Sequence, residues 1–270
     1  MTVTSAIGFA GSRTGSRRAA RAFQVQAVRW GTVLVFVVVW QYLFSVPFGN
    51  SDYIAPPSKV ATVGLAAILE PANLLALWQT TSRFLQAFAI AAVLGVVVGL
   101  ALGRLHRQIF SGARDVVTVL YALPMVPFYP LFVLWLGLGM RSEVAFGAIH
   151  GIFPVILITM SASAAVDTNL VASGDAMGAT AFQRLRLIIL PAILPEVLGA
   201  LKIGAALSLL GVLLGELMIS VDGIGSFITN QITNHGAAPL NAMILVVCVG
   251  VVVINAILSL IERQTSRWRS

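Results

Sequence analysis

The sequence predicts an all-α, polytopic membrane protein with about six transmembrane helices. Three observations support this fold class. Hydrophobic residues make up 58% of the 270 residues, and the mean hydropathy is +0.94. Charged residues make up only 10% of the chain, whereas a soluble domain carries about 25%. The apolar residues are also gathered into long runs, and a helix needs about 20 mostly apolar residues to cross a bilayer.

Six runs are candidates for spanning helices. They are residues 30–46, 82–103, 116–138, 143–165, 193–219 and 239–261. A further segment, 58–79, contains Lys59 and Glu70, and we interpret it as a helix outside the bilayer or along its surface. Within the second run, the repeat of Gly95, Gly99 and Gly103 predicts close packing against another helix.

The first apolar run follows a basic leader. A cleaved signal peptide is the alternative interpretation, but its apolar region would be only about 7–15 residues long. We therefore expect a retained first span. Residues 1–29 are expected to be a basic cytoplasmic N-terminus, disordered over its Ser-, Gly- and Arg-rich start at 1–20. The transmembrane domain is expected over 30–262, and a cytoplasmic tail over 263–270.

The basic residues divide unequally between the two sides of the membrane. With the N-terminus inside, only Lys59, Arg83 and Arg141 fall outside. This asymmetry fits the positive-inside rule and accounts for the net charge of +7 without a nucleic-acid partner. It predicts that both termini and segment 166–191 are cytoplasmic. The arginines on the predicted cytoplasmic side are Arg13, Arg17, Arg18, Arg21, Arg29, Arg104, Arg107, Arg114, Arg184, Arg186, Arg263, Arg267 and Arg269.

A polar stretch between two apolar runs, ASGDAMGATAFQRLRLIILP at 172–191, contains a spaced motif. Ile188 follows ten residues after Gly178, and Leu190 and Pro191 come next. We expect two short helices joined near Gly178, because glycine permits a sharp bend, with Asp167 or Thr168 as a cap and Pro191 near the start of the next helix. An ordinary interspan loop is the alternative.

The stretch resembles the cytoplasmic signature of ABC importer permeases, a Gly, nine residues, then I-x-L-P. The signature opens with Glu-Ala-Ala, where this chain has Ala172, Ser173 and Gly174; Asp175 is a candidate to supply the missing charge. The resemblance implies that this segment docks on an ATPase. The implied coupling residues are Ala172, Ser173, Gly174, Asp175, Ala176, Gly178, Ala179, Thr180, Ile188, Leu190 and Pro191.

Four further stretches carry the same resemblance: IAPPS at 54–58, TTSRFLQAF at 80–88, ALPMVPFYPLFVLWLGLG at 122–139 and GELMISVDGIG at 215–225. Together they resemble the permease subunit of nitrate/sulfonate/taurine-type ABC importers, which has the type I importer (MetI-like) fold. The resemblance implies a homodimer of this chain, two ATPase subunits and an extracytoplasmic solute-binding protein in a bacterial plasma membrane. It implies a small anion as solute. A pyrimidine or thiamine precursor is the alternative, and an ion-gradient-driven transporter is a third possibility.

Proline breaks in the third span point to a pathway for the solute. Pro124, Pro127 and Pro130 each remove a backbone hydrogen bond, and such breaks in lipid persist where protein or a water-filled cavity covers them. A broken helix lining the pathway, with Met125 and Phe128, is one interpretation, and a packed kink is the other. Glu216 in the fifth span could line the gate, be paired, or be solvated at the interface.

Motif absences exclude several enzyme classes. A P-loop needs Gly-Lys before Ser or Thr, but Lys59 follows Ser58 and Lys202 follows Leu201. ATP and Mg²⁺ are therefore expected on a partner ATPase, with no cofactor and no metal on this chain. The sequence has no G-x-S-x-G, H-E-x-x-H or C-x-x-C motif, and one cysteine, Cys248. We expect a non-catalytic subunit.

Overall fold

The computed structural model describes residues 11–46, 54–219 and 222–266. Every regular element within these ranges is helical, which confirms the all-α prediction. The helices are α1 Gly11–Ser45, α2 Pro57–Lys59, α3 Leu65–Ile68, α4 Pro71–Gly103, α5 Arg107–Ala122, α6 Tyr129–Leu136, α7 Met140–Ala164, α8 Thr168–Ala176, α9 Ala181–Arg184, α10 Leu190–Ile219, α11 Gly223–Thr233 and α12 Ala237–Ser266. Two π-helical turns, Val60–Gly64 and Leu185–Ile189, and a 3-10 turn, Val126–Phe128, lie between them.

The prediction of about six spans is confirmed. Among the described residues, five helical stretches are long and apolar enough to cross a membrane: Gln26–Ser45, Pro71–Gly103, Met140–Ala164, Ala181–Ile219 and Ala237–Glu262. A sixth span forms when Arg107–Ala122 and Val126–Leu136 are taken together as one helix pair bent by 78°. The bend falls at the prolines of the third predicted span, because proline cannot continue the backbone hydrogen bonding of a helix.

One predicted boundary is wrong: the second span begins at Pro71 rather than near residue 82. Pro191 lies near the start of α10, as predicted, although α9, the π-helical turn and α10 form one helical stretch from Ala181. A π-helical turn directly precedes this proline, and there the amide of Leu190 donates to the carbonyl of Leu185. This shift in hydrogen bonding accommodates a residue that has no amide to donate.

The basic N-terminus also differs from its prediction. Residues 11–29, expected to lie before the first span and to be disordered up to residue 20, belong to α1, while residues 1–10 lie outside the described residues. The reason is local. The stretch RRAARA at 17–22 consists of strong helix formers and continues directly into an apolar span.

The segment after the first span is a short apolar helix, Pro57–Ile68, as predicted in part for 58–79. It packs on α12, since a Cβ atom at Gly64 would lie 2.6 Å from the carbonyl oxygen of Ala238. The Asn73 side chain donates to the Ala67 carbonyl at 2.7 Å, across the break before α4. The depth of the helix Pro57–Ile68 relative to the bilayer stays a prediction.

The centre of the molecule is a close assembly of α4, α7 and α10 built on small residues. A Cβ atom at Gly95 would lie 2.7 Å from the Val155 side chain, and one at Gly99 would lie 2.8 Å from that of Thr159. The glycine repeat of α4 therefore packs directly on α7, as predicted. On the other side of α7, a Cβ atom at Gly147 would meet the carbonyl of Ser208 in α10 at 2.9 Å.

Candidate coupling segment and membrane pathway

The segment from Asp167 to Ile189 contains two short helices joined at a glycine. The Asp167 carboxylate accepts a hydrogen bond from the Asn169 amide at 2.8 Å and so caps α8, which leaves Thr168 inside the helix. Gly178 follows α8 with φ +78°, a left-handed conformation that favours glycine. Thr180 then caps α9 in a reciprocal arrangement with Gln183. The predicted local structure of the segment is confirmed.

The inner side of this segment packs through Gly174 and through the Ile188–Pro191 end of the motif. Gly174 is buried, and a Cβ atom there would lie 2.6 Å from Cδ1 of Ile188. A larger residue at this position would require the end of the Ile188 side chain to move. The next residue, Ile189, packs with Val166 and Val197 in an apolar cluster. The Ile188–Pro191 stretch thus anchors the segment to the spanning helices.

An ion pair connects the two short helices. The Arg184 guanidinium donates to the Asp175 carboxylate across the turn at Gly178. Asp175, which the sequence offered as a replacement for the missing glutamate of the signature, is therefore engaged within its own segment. This ion pair contributes little to stability, because both side chains are partly in contact with solvent.

The outer side of the segment is exposed and partly apolar. Ala172, Ser173, Ala176, Gly178 and Thr180 are exposed, as small residues at a docking surface should be. Large apolar side chains stand among them: Met177 is 88% exposed and Phe182 is 68% exposed. Sequence reasoning missed these two side chains, although both are apolar residues in an otherwise polar stretch. We call Ala172–Phe182 the coupling surface.

The structure places the predicted pathway residues in two regions, the break in the third span and the buried end of α10. Pro124, Pro127 and Phe128 are exposed at the break in the third span, and Met125 is half-buried. The anchor of this break is Tyr129, which is fully buried. Its ring centroid lies 4.9 Å from that of Phe146 in α7, and its Cε2 would be 3.0 Å from a Cβ atom at Gly215 in α10. Phe132 in α6 also packs on Phe146, with ring centroids 5.5 Å apart, so the break rests on the helix core through two aromatic side chains.

Glu216 is buried and paired, so the interpretation that it is solvated at the interface is wrong. The residue Glu216 is only 1% exposed. Both carboxylate oxygens lie 2.8 Å from the Thr80 hydroxyl, and the Gly225 amide donates to one of them at 3.0 Å. A guanidinium nitrogen of Arg83 lies 2.8 Å away. A buried carboxylate needs this many donors to offset its lost hydration.

Arg83 is the centre of a buried ion cluster that sequence reasoning did not anticipate. The residue is 4% exposed. Its Nε lies 3.0 Å from Glu143, its first terminal nitrogen 2.8 Å from Glu216, and its second 2.5 Å from Asp222. The sequence places Arg83 on the predicted outer side, and the structure buries it in the helix core, because α4 begins at Pro71. We call Arg83, Glu143, Glu216 and Asp222 the Arg83 cluster.

The loop into α11 closes around this cluster. Gly223 has φ +84°, and a Cβ atom there would lie 2.6 Å from a Glu216 carboxylate oxygen. The Ile224 amide donates to the Thr80 hydroxyl at 2.8 Å. The two glycines of the D-G-I-G sequence at 222–225 thus let the backbone approach a buried carboxylate closely. In the described part of the chain, no three His, Cys, Asp or Glu side chains are grouped as a metal site requires.

Comparison with known proteins found a matching family and several relatives. The family described as "Binding-protein-dependent transport system inner membrane component" matches residues 91–267. The taurine transport system permease protein TauC of Escherichia coli (strain K12) is 25% identical over 245 residues, 88% of each chain. SsuC of Bacillus subtilis (strain 168), named for aliphatic sulfonates transport, is 24% identical over 237 residues, 87% of this chain and 85% of that protein.

A different solute class occurs in a third relative, and a solved structure shares the fold. The formylaminopyrimidine transport permease protein ThiX of Halalkalibacterium halodurans is 23% identical over 239 residues, 87% of this chain and 93% of that protein. A chain of the inward-facing MetNI methionine ABC transporter superposes with a TM-score of 0.59 at 20% identity, covering 70% of this chain and 93% of that one. At this identity the likeness shows the fold alone.

Proposed function

The chain belongs to the family of binding-protein-dependent transport system inner membrane components and is an ABC importer permease, and from this premise we propose that it carries a small organic or inorganic anion such as a sulfonate, taurine or nitrate. The names of two relatives, TauC and SsuC, support this solute class. The chain is a multi-pass inner-membrane protein, and we propose that both of its termini are cytoplasmic.

The proposed assembly contains two copies of this chain, two ATPase subunits and an extracytoplasmic binding protein that delivers the solute. ATP and Mg²⁺ would bind to the ATPase, and this chain would be non-catalytic, since its sequence has no P-loop. A second copy is supported by the span Gln26–Ser45, none of which is buried within the chain. Such a helix leaves an apolar surface for another subunit or for lipid.

The single observation that carries the proposal is the coupling surface. Two capped helices meet at a left-handed glycine and present small residues together with exposed Met177 and Phe182. Met177 and Phe182 are exposed in an otherwise polar stretch, which fits a surface that a partner covers. A partner that covers them would gain the free energy of apolar burial, roughly 25 cal/mol per Å².

The same helix that carries the coupling surface reaches the Arg83 cluster. Ala181–Ile219 is one helix of 39 residues, about 58 Å long at 1.5 Å per residue. Phe182 is at one end of it and Glu216 is at the other. Movement imposed by the ATPase at α9 would therefore be transmitted to the point where α4, α7 and α10 are held together. Alternating access would follow from repacking at that far end.

The test is ATP-dependent uptake in liposomes that contain the permease, its ATPase and its binding protein. Labelled taurine, an alkanesulfonate and nitrate are offered separately, and we expect uptake of one of them to require both ATP and the binding protein. Phe182→Asp should abolish uptake and ATPase pull-down while leaving the amount of membrane-inserted permease unchanged. Uptake driven by an ion gradient without ATP would contradict the proposal and support a secondary transporter.

A pyrimidine precursor of thiamine is the second candidate solute, because ThiX is also a relative. The same liposomes distinguish the two classes. Uptake of formylaminopyrimidine with no uptake of the three anions would replace the proposed solute but keep the proposed mechanism.

A further inference from the structure

A cleft of about 630 Å³ opens between the C-terminal end of α4 and the segment formed by α8, α9 and the π-helical turn. Its apolar part is lined by Val97, Leu100, Leu185 and Ile189, and its polar part by Arg104, Arg184 and Asp175. The cleft is separate from the break in the third span, and it shares only Asp175 and Ala181 with the coupling surface. We propose that it binds an anionic phospholipid, with the headgroup at Arg104 and Arg184 and an acyl chain along the apolar part.

The order of residues along both helices supports this orientation. On α4, Val97 and Leu100 lie in the last two turns and Arg104 follows the end of the helix at Gly103. On the opposing helix, Arg184 comes first, and Leu185 and Ile189 lie further into the span Ala181–Ile219. Both walls therefore change from basic to apolar in the same direction, from the membrane surface toward its interior. A phospholipid changes from charged to apolar in the same way.

The charge of the polar part suits a phosphodiester. Arg104 is exposed, and its guanidinium has one long hydrogen bond, 3.4 Å, to the Ser163 carbonyl. Arg184 is paired with Asp175. The three side chains together carry one net positive charge, equal and opposite to one phosphodiester. A guanidinium has five N–H donors and can bind phosphate oxygens in pairs, and basic pockets between spanning helices bind anionic headgroups.

The apolar part favours a lipid over the other occupants. Val97 and Ile189 belong to helices long and apolar enough to span a membrane, so an acyl chain can lie against them. A free phosphate ion would gain nothing from an apolar wall. The assignment to the cytoplasmic leaflet rests on the proposed function, whereas lipid binding itself does not.

The experiment is lipid titration of the purified full-length permease in detergent, read by native mass spectrometry. Phosphatidylglycerol and phosphatidylcholine with identical acyl chains are compared. We expect the wild type to prefer phosphatidylglycerol, and Arg104→Gln to weaken phosphatidylglycerol binding about fivefold, the effect of one basic contact with an anionic lipid. Arg114→Gln is the matched control, since Arg114 is exposed on the same predicted side but does not line the cleft.

Two further variants test the two halves of the cleft separately. Asp175→Asn removes the acidic competitor of Arg184 and should strengthen phosphatidylglycerol binding. Ala101→Trp fills the apolar part, which Ala101 also lines, and should weaken binding of both lipids while the protein stays folded and monodisperse. The opposite signs of these effects cannot arise from loss of folding.

Four results would overturn the proposal. The first is equal binding of the two lipids, and the second is an equal effect of Arg104→Gln and Arg114→Gln. The third is equally tight binding of soluble glycerol phosphate, which would make the cleft an anion site without a lipid. Displacement of phosphatidylglycerol by added ATPase would likewise identify a protein-docking surface instead. None of these results affects solute uptake as evidence for the importer, because no solute or ATP is present.

Discussion

Arg83 shows how much one residue can determine in a low-dielectric interior. A single guanidinium faces three carboxylates at 2.5–3.0 Å. Its planar group presents donors in several directions at once, which a lysine ammonium cannot reproduce. Removing one partner from a buried ionic group is costly because the remaining charges lose both water and their counter-ion.

Arg83→Met is therefore expected to lower the free energy of unfolding by about 3–5 kcal/mol, the range for breaking a buried ion pair. Denaturant titration in mixed micelles measures this change. The free energy of unfolding of Arg83→Lys should fall between those of Arg83→Met and the wild type, because lysine keeps the charge but lacks the planar guanidinium. Arg141→Met is the control, since Arg141 is exposed and exposed substitutions stay within about 0.5 kcal/mol. Equal losses for Arg83→Met and Arg141→Met would refute the structural role of the cluster.

Gly178 is the second position where one residue determines the outcome. No atom lies within 4 Å of a Cβ atom placed there, so the constraint is its φ of +78° and not its space. Gly178→Arg is expected to leave membrane insertion intact and to reduce ATPase pull-down sharply, because it adds strain of about 1–2 kcal/mol and a charged side chain to the coupling surface. Solute-stimulated ATP hydrolysis in liposomes should fall with it.

The control for this variant is Gly112→Arg. Gly112 also has no atom within 4 Å of a Cβ position, but it lies in α5 and has no positive φ. Gly178→Asn separates strain from bulk, since asparagine tolerates the left-handed conformation, and it should retain most of the pull-down. Wild-type coupling in Gly178→Arg would mean that this segment does not dock the ATPase.

At the scale of elements, local sequence patterns predicted the structure well, whereas the pairing of distant residues could not be predicted from them. The three prolines of the third span predicted a break, and the structure has a 78° bend there. The cap at Asp167 and the turn at Gly178 depend only on neighbouring residues, so the sequence contains the necessary information. Arg83 meets Asp222 across 139 positions. Nothing near Arg83 in the sequence indicates which distant carboxylates will reach it, so its position within a span was missed.

The break between α5 and α6 yields a labelling prediction. In a Cys248→Ala background, which removes the exposed native thiol, cysteines at Met125 and Phe128 should react with small polar thiol reagents. Their reactivity should change when the ATPase is trapped with nucleotide, because a pathway lining alternates between states. Tyr129→Cys should be inert in both states, since this residue is fully buried. Inert cysteines at positions 125 and 128 in both states would favour a packed kink.

At the scale of the whole molecule, the structure makes the distribution of basic residues between the two predicted sides of the membrane more unequal. With Arg83 inside the helix core, the basic residues left on the predicted outside are Lys59 and Arg141. The positive-inside rule counts charges in loops near the ends of spans, so the removal of a buried arginine strengthens the predicted orientation.

Reporter fusions test this orientation. Fusions after Arg107 and after Arg186 should report a cytoplasmic location, and a fusion near Asn73 an external one. The reason is that the thirteen arginines on the predicted cytoplasmic side would otherwise have to be translocated. An external signal after Arg186 would contradict the topology together with the placement of the coupling surface.

The Arg83 cluster has a consequence for biosynthesis. Arg83 emerges from the ribosome well before Glu143, Glu216 and Asp222 exist, so no counter-ion is available when α4 first meets the bilayer. A charge without a partner is best hydrated near the headgroups. We therefore expect the cluster to close only after Asp222, the last of its carboxylates to be synthesised, has been made.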